Sequence, residues 1–217
     1  MLTIYGCYRS RASRNIWLAN ELGLTFRHVP VIQVYRLSNP SAPGAPLNTR
    51  SPEFLKVNPN GHIPSIDDDG FVLHESLAIN LYLARKAGGS LAAADVKEEG
   101  LMAMWSLWAA TEVETRALTM MQNRVAKPAA ERDAKLADTM VAELRAPFAV
   151  LDAALVDGYL VGKRFTVADV NVAEVVRYAQ AAPELFEAAP RVKAWLAACQ
   201  ARPAFKAMWA KRDAEPA

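Results

Sequence analysis

Cysteine, an excess of charge of one sign and long apolar runs are all scarce in this chain of 217 residues. The two cysteines, Cys7 and Cys199, lie far apart, which argues against a disulfide scaffold or a zinc site and suits a reducing compartment. The formal net charge is only +2, and basic and acidic residues occur throughout the chain, so no basic region indicates a nucleic-acid partner. No apolar run approaches the roughly 18 residues of a membrane helix, and Met1-Leu2-Thr3-Ile4-Tyr5 shows no basic region followed by a long apolar stretch, so we expect neither secretion nor membrane spanning. We therefore expect a cytoplasmic protein with a small-molecule partner, no nucleic acid, no membrane and no metal.

The first 86 residues alternate between strand and helix patterns. Leu2 to Tyr5 predicts a strand, Ser10 to Glu21 a helix and Phe26 to Val31 a second strand parallel to the first. A proline at the first helical position predicts a short helix from Pro52 to Val57. Two further strands, Ile63 to Ile66 and Phe71 to Leu73, are predicted to form an antiparallel hairpin through the turn Asp67-Asp68-Asp69-Gly70. A last helix is predicted from Ser76 to Lys86. This part of the chain is predicted to be an α/β domain.

The second half of the chain has helical periodicity only. It is rich in alanine and shows no convincing strand pattern beyond about Val96. Pro147 lies within a helical stretch and is expected to kink or divide the helix there. Thr166 and Asp169 have the spacing of a capping box before an apolar helix. We predict an all-helical domain.

Two short motifs in the first half suit a small peptide-like ligand. At Ile63-Pro64, a cis proline could hold backbone groups outside the sheet ladder, although an ordinary edge-strand proline has the same appearance. Ser76 opens a helix whose dipole favours an anion, and its hydroxyl is expected to face outward. Glu75 beside it could take an ammonium group, so that the pair would bind an α-amino-acid head. A simple helix N-cap is the alternative interpretation of Glu75-Ser76.

Three segments resemble the N-terminal domain of glutathione transferases in sequence, order and spacing. They are Ser51-Pro52-Glu53-Phe54-Leu55, Asn58-Pro59-Asn60-Gly61-His62-Ile63-Pro64 and Leu73-His74-Glu75-Ser76-Leu77-Ala78-Ile79. The resemblance implies a thioredoxin-like α/β domain over 1–86, a linker over 87–95 and an all-α helical bundle over 96–217. It extends over nearly the whole chain, because Thr166-Val167-Ala168-Asp169 resembles the buried capping box of the same family.

The resemblance also implies roles for single residues. Ile63, which precedes Pro64, would pair through its main chain with the cysteinyl unit of glutathione, and Glu75 and Ser76 would hold the γ-glutamyl end. In serine- and cysteine-type members the catalytic residue lies at the start of the first helix, five positions after an aromatic residue and four before an arginine. Tyr5, Ser10 and Arg14 have this spacing in the present chain. Ser10 would then donate a hydrogen bond to the sulfur of glutathione, a co-substrate that requires no metal.

Other contacts follow from the same resemblance with alternatives attached. Arg50 would bind the glycyl carboxylate, although it could equally lie on a solvated face. His62, which lies next to the Ile63-Pro64 motif, could contact a glycyl carboxylate or the second substrate. Tyr8, Trp108, Thr111 and Glu112 are candidates for the pocket of a hydrophobic second substrate. The three on the helix could equally belong to a core or a subunit interface. The family also implies a homodimer and a role in detoxification.

Cys7 offers a rival interpretation. Cys7-Tyr8-Arg9-Ser10 reads as the C-x-x-S of a one-thiol glutaredoxin, whose cysteine forms a mixed disulfide with glutathione. Cys7 follows Tyr5 by only two residues, which places it at the strand end and favours Ser10. The sequence predicts a glutathione transferase that attacks a hydrophobic electrophile. A glutathione-dependent disulfide reductase or peroxidase and a non-catalytic interaction module are the alternatives, and the subclass and electrophile are left open.

Overall fold

The chain forms two compact units in a computed structural model that describes residues 1–216. Unit 1 contains Met1–Ala87 together with the residues from Pro203 onward, and unit 2 is Gly88–Arg202. This division differs from the expected boundaries, because the end of the predicted helical domain 96–217 belongs to unit 1 and residues 88–95 of the predicted linker belong to unit 2. Ala217, the last residue of that predicted domain, lies outside the described residues.

Strands occur in unit 1 and helices in both units. The elements are β1 (Leu2–Tyr5), α1 (Ala12–Glu21), β2 (Phe26–Val29), α2 (Pro52–Val57), β3 (Ser65–Asp68), β4 (Phe71–His74), α3 (Ser76–Ala87), α4 (Val96–Trp108), α5 (Thr115–Met121), α6 (Ala134–Ala154), α7 (Val167–Val176), α8 (Pro183–Ala188), α9 (Pro190–Ala201) and α10 (Pro203–Ala214). The sheet has the order β2-β1-β3-β4, with β1 parallel to β2 and antiparallel to β3. The predicted parallel pair and antiparallel hairpin are therefore confirmed.

Several element boundaries differ from the prediction. β3 begins at Ser65 and not at Ile63, and it continues through Asp68, which pairs with both Leu2 and Phe71. The hairpin turn is therefore only Asp69-Gly70, and both residues have positive φ, as a tight two-residue turn requires. β2 ends at Val29 and α1 begins at Ala12, so Ser10 lies in the loop before that helix.

The core of unit 1 lies where α1 packs between other helices and the sheet. Ile4 and Ile66 on neighbouring strands are fully buried, as is Trp17 on α1. The Trp17 ring meets Phe205 of α10 edge-on, with 5.0 Å between ring centroids. Helix α10 is thus an integral part of unit 1 even though it comes last in the chain, and it brings the C-terminal residues to the α/β fold.

Unit 2 is built around α7, every residue of which is buried. Pro147 was expected to kink or divide the helix; α6 runs without interruption over 21 residues with Pro147 inside it, so the proline does not divide it. Proline in a helix interior costs roughly 3 kcal/mol. Burial of Leu144, Phe148 and Leu151 around Pro147 offsets that cost, because tertiary packing supplies most of the stability of helices in proteins.

The predicted capping box at the start of α7 is present. Asp169 is fully buried, and its carboxylate accepts hydrogen bonds from the Thr166 amide at 2.9 Å and the Thr166 hydroxyl at 3.1 Å. Its other oxygen accepts from the Leu160 amide at 3.2 Å and the Trp195 indole at 2.9 Å. Burial raises the pKa of Asp169, and these hydrogen bonds oppose that shift. One carboxylate thus joins the start of α7 to a loop and to α9.

An ion pair between Glu98 and Arg164 ties the start of α4 to the rest of unit 2. Glu98 is bound by the Arg164 guanidinium at 2.9 and 2.6 Å, and its carboxylate also accepts from the Ala94 amide at 2.8 Å. Arg164 further donates to the carbonyls of Ser90 and Ala92. The hydrogen bond from Arg164 is the main reason that the pKa of Glu98 falls from 4.5 to about 2.

We expect Glu98→Gln to lower the free energy of unfolding by about 1–2 kcal/mol near neutral pH, a value reduced from the full shift because the pair is partly solvated. The folded-state pKa lies below the unfolded one, so the contribution is complete above about pH 4.5 and is lost as the pH falls toward about 2. Urea unfolding at several pH values measures it. Glu187→Gln, at an exposed glutamate of α8, is the matched control, and equal losses in both variants at every pH would contradict this prediction.

Candidate functional site

The loop between β1 and α1 approaches two other parts of unit 1 closely. Gly6 has φ of +148°, a region that is open essentially to glycine. A Cβ atom at this position would lie 2.6 Å from the Cβ of Ala12 and 3.6 Å from that of Ile63. The start of the loop is therefore pressed against both the first residue of α1 and the Ile63-Pro64 step.

Ser10 lies in this loop, two residues before α1, and is half-buried. Its hydroxyl donates to the Cys7 carbonyl at 2.6 Å and accepts from the Ala12 amide at 3.0 Å. The hydroxyl oxygen is therefore directed toward the amide end of α1, where the helix dipole favours negative charge. Its proton is shared with a neutral carbonyl, from which a charged acceptor could compete for it.

Cys7 has a different environment from Ser10. Its side chain is fully buried, its thiol donates to Gln33 Oε1 at 3.1 Å, and Arg36 approaches the sulfur at 3.5 Å. Burial raises the pKa of the Cys7 thiol, and the charge of Glu215 raises it further against the opposing effects of Ser10 and Arg36. A buried thiol with a raised pKa is a poor nucleophile at neutral pH.

The peptide bond between Ile63 and Pro64 is cis. The backbone of Ile63 lies outside the sheet ladder, because β3 begins only at Ser65. Asn58, which is buried, donates from one amide group to the His62 carbonyl at 2.8 Å and to Ser65 Oγ at 3.1 Å. Asn58 thus binds the chain on both sides of the Ile63-Pro64 step.

Glu75 and Ser76 connect β4 to α3 with unusual backbone geometry. Glu75 has φ of +67°, which is uncommon for a residue with a side chain and indicates a local functional or structural requirement. The Glu75 side chain is exposed, whereas Ser76 is buried. The outward orientation expected for the Ser76 hydroxyl is therefore wrong: this hydroxyl accepts a hydrogen bond from Arg14 Nη1 at 3.1 Å.

Sequence analysis did not predict the buried polar network behind Ser76. Asn15 donates to the Ser76 carbonyl at 2.8 Å and to Asn80 Oδ1 at 2.6 Å, and Asn80 donates to the Arg14 carbonyl at 3.3 Å. Arg14, Asn15 and Asn80 are all buried. The signal in the sequence was the run of three polar residues near the start of α1, Ser13-Arg14-Asn15, all of which are buried. The network joins α1 directly to the start of α3.

Arg50 and His62 are both exposed. A Cβ atom on Gly61 would lie 3.2 Å from Arg50 Nη1, so the guanidinium reaches the turn that precedes His62. Tyr8 is half-buried and its ring meets that of His28 edge-on, with 5.0 Å between centroids. Arg50 and His62 therefore lie at the turn that precedes Ile63. The loop that begins at Gly6 and carries Ser10 also comes close to Ile63.

The three remaining candidates lie in unit 2. Trp108 ends α4 and packs against Trp105, with 5.1 Å between ring centroids. Thr111 and Glu112 are exposed in a π-helical segment, Ala109–Glu114, and their carbonyls accept from Arg116 at 3.2 and 2.7 Å. Such π-helical insertions are frequent at functional sites. The residues of this segment all belong to unit 2.

Neither a metal-binding cluster nor a membrane-spanning helix occurs within residues 1–216. No cluster of three or more His, Cys, Asp or Glu side chains that could hold a metal ion was found in this part of the chain. No helix within the same residues has the length and apolar composition needed to span a membrane.

Comparison with known proteins identifies the family. Residues 9–86 match the family model of the glutathione S-transferase N-terminal domain, and residues 110–203 match that of the C-terminal domain. Glutathione S-transferase 3 of Zea mays is 33% identical over 94% of this chain and 91% of its own length. The chain belongs to the glutathione S-transferase family. The predicted thioredoxin-like α/β domain and helical domain are the architecture of this family, and both are confirmed.

Solved structures of glutathione S-transferases have the same fold over nearly the full length of the chain. Glutathione transferase F7 from Populus trichocarpa matches with a TM-score of 0.80 at 26% identity, covering 98% of this chain and 99% of its own. The theta-class enzyme from Xanthomonas axonopodis pv. citri, solved with glutathione bound, matches with a TM-score of 0.79 at 26% identity over 95% of each chain. This chain is a glutathione transferase enzyme, as its homologues are. Glutathione as a co-substrate is consistent with membership of this family.

Proposed function

We propose that this glutathione S-transferase binds glutathione on unit 1 and activates its sulfur as a thiolate through Ser10. The observation that carries the proposal is the contrast between two neighbouring side chains. The Ser10 hydroxyl is half-buried beside the first amides of α1, whereas the Cys7 thiol is fully buried with a raised pKa. Of these two groups, only the Ser10 hydroxyl is partly accessible to a ligand.

The chemical task of Ser10 is to favour the charged form of the bound thiol. A free thiol with a pKa of roughly 8.5 is mostly protonated at neutral pH, and each unit by which its pKa falls corresponds to about 1.4 kcal/mol. The Ser10 proton is held by the neutral carbonyl of Cys7. A hydrogen bond to a thiolate is charge-assisted and roughly twice as strong as a neutral one, so the hydroxyl would rotate toward the sulfur.

The rest of glutathione would be held by main-chain and polar groups already in place. We propose that the free backbone edge of Ile63, next to Pro64, pairs with the cysteinyl unit. Glu75 would bind the ammonium group of the γ-glutamyl end. Ser76, whose hydroxyl oxygen accepts from Arg14 and whose proton can still be donated, would bind the carboxylate. Arg50 or His62 would bind the glycyl carboxylate. The Xanthomonas axonopodis relative of the same fold, which carries glutathione in its structure, supports the ligand class.

The thiolate would then attack an electrophilic carbon of a small hydrophobic substrate. The electron pair of the sulfur would form the new carbon–sulfur bond, while the bond from that carbon to its leaving group would break and the leaving group would depart with that bond's electron pair. We propose Tyr8, Trp108, Thr111 and Glu112 as side chains that contact this substrate. We also propose that the enzyme is a cytoplasmic homodimer with a role in detoxification. A panel of electrophiles assayed against alanine variants at Trp108 and Thr111 tests the substrate contacts.

The assignment of Ser10 is tested by the ultraviolet absorbance of the thiolate of bound glutathione as a function of pH. We expect Ser10→Ala to raise the pKa of the bound thiol by about one unit, which lowers the ratio of thiolate to thiol about tenfold at any given pH. Cys7→Ser is the matched control and should leave the titration unchanged.

Two outcomes contradict the proposal. Loss of the thiolate signal in Cys7→Ser with a normal signal in Ser10→Ala would transfer the role to Cys7 and favour a disulfide reductase. Absence of any bound thiolate in the unmodified protein would favour an interaction module without catalytic function.

A further inference from the structure

The end of the chain binds the backbone of the loop that carries Ser10. Glu215 accepts a hydrogen bond from the Tyr8 amide at 2.9 Å with one carboxylate oxygen. Its second oxygen accepts from the Arg9 amide at 2.7 Å. Hydrogen bonds from amides to an ionised carboxylate are charge-assisted, and two parallel bonds also define the orientation of the groups they join. The two residues immediately before Ser10 are therefore oriented by one side chain.

Arg212 binds the same loop from one turn earlier. Its guanidinium donates to the Tyr8 carbonyl at 2.6 Å, and the Arg9 side chain donates back to the Arg212 carbonyl at 3.2 Å. Both the amide and the carbonyl of Tyr8 are thus bound by residues at the end of the chain. We call Arg212 and Glu215 together the C-terminal clasp.

The clasp is anchored by the core of unit 1. On α10, Met208 is fully buried and Phe205 packs against Trp17 of α1. The Glu215 amide donates to the Arg212 carbonyl at 3.3 Å, which continues the last turn of α10. Arg36 donates to the Pro216 carbonyl and so holds the chain beyond Glu215. The position of the clasp therefore follows from the packing of α10 on α1.

The charge of Glu215 and its hydrogen bonds have opposite expected effects on a nearby thiolate. The carboxylate raises the pKa of the Cys7 thiol, so its charge alone disfavours an anion in this region. Several cations surround the loop and oppose that charge: Arg9, Arg36, Lys211 and Arg212. The hydrogen bonds order the loop, which helps Ser10 to meet the sulfur. Replacing the charge while keeping an acceptor separates the two effects.

We propose that the C-terminal clasp is a positioning element of the active site, in which Glu215 holds the Tyr8-Arg9 backbone so that the Ser10 hydroxyl lies at the sulfur of glutathione. The inference rests on the function proposed for Ser10. Glu215 touches neither the substrate nor the sulfur in this scheme and acts through the loop. Displacement of a catalytic group by about 1 Å can cost up to about a hundredfold in rate, so even a small loop movement is measurable.

The test compares Glu215→Ala and Glu215→Gln with Asp213→Ala, which removes a carboxylate from an exposed position on the same helix. The readouts are the pH titration of the bound glutathione thiolate and the kinetics with a chlorodinitrobenzene electrophile. We expect Glu215→Ala to lower kcat about tenfold and to raise the pKa of the bound thiol. Glu215→Gln, which keeps one acceptor oxygen, should recover most of the kcat, and Asp213→Ala should match the unmodified enzyme.

The proposal is overturned if Glu215→Ala matches Asp213→Ala. It is also overturned if Glu215→Ala and Glu215→Gln lower the thiol pKa equally, because the charge alone would then account for the effect. Ser10→Ala separates these results from a failure of the proposed function. A normal thiolate in Ser10→Ala removes the role of Ser10 itself. Loss of the thiolate in Ser10→Ala with a normal Glu215→Ala removes only the clasp. With both roles intact, Glu215→Ala adds less than about a twofold loss in the Ser10→Ala background.

Discussion

Asp169→Ala is expected to lower the free energy of unfolding by about 3–5 kcal/mol, the largest stability loss that we foresee for a single substitution in this chain. The carboxylate is fully buried, and its removal leaves four donors without their acceptor: the Thr166 amide and hydroxyl, the Leu160 amide and the Trp195 indole. Each buried donor that loses its partner costs about 1–3 kcal/mol, and the losses are not additive within one network.

Urea unfolding followed by circular dichroism measures the loss. Asp133→Ala is the matched control: Asp133 caps α6 from an exposed position and accepts from the Leu136 amide at 2.9 Å. An exposed cap contributes about 1 kcal/mol. A loss in Asp169→Ala no greater than that in Asp133→Ala would show that the buried network adds nothing to an ordinary cap.

Gly6→Ala is expected to lower the free energy of unfolding by about 2–4 kcal/mol and to weaken glutathione binding. The new methyl group would lie 2.6 Å from the Cβ of Ala12, a contact that neither backbone can relieve without moving. The backbone at φ of +148° adds strain of its own. Because Ile63 also lies close to Gly6, movement of the loop would disturb the surface proposed to pair with the cysteinyl unit.

The comparison with Gly23→Ala isolates the steric contact. Gly23 has φ of +63° and open space around it, so this control reports only the backbone cost of about 1 kcal/mol. Combining Gly6→Ala with Ala12→Gly removes the clashing atom, and a double-mutant cycle should show a favourable coupling. Additive losses in that cycle, or a Gly6→Ala protein as stable as Gly23→Ala, would rule out the close contact as the cause. Urea unfolding and calorimetric titration with glutathione provide the two readouts.

Local patterns were sufficient to predict much of the fold and part of the candidate site. Pro52 at the first position of a helix, Gly70 in a tight turn and the Thr166–Asp169 capping box each reflect a preference that acts over a few residues. Their interactions are close in the chain, so sequence reasoning could identify them. Boundaries were less accurate: the ladder between β1 and β3 reaches Asp68, and the pairing partner rather than the local composition determines where such a strand ends.

Contacts between distant parts of the chain were not predictable in the same way. Ser76 was expected to present its hydroxyl outward, but Arg14, 62 positions away, binds it in the interior. Pro147 was expected to kink or divide a helix, but packing of the surrounding apolar residues keeps α6 continuous. In both cases a local preference was outweighed by burial against elements that the sequence pattern does not bring together.

The sequence by itself determined the alternation of strands and helices, the two-part architecture and the motifs around Ile63-Pro64 and Glu75-Ser76, because periodicity, turns and helix caps depend on neighbouring residues. Only the tertiary structure decided the environment of Ser10 and Cys7 and placed Glu215 on the Tyr8 amide, 207 positions away. The packing of α10 on α1 brings Glu215 to the loop that contains Tyr8. The surrounding fold buries the Cys7 side chain completely and leaves Ser10 half-buried. Chain proximity carries no information about either effect.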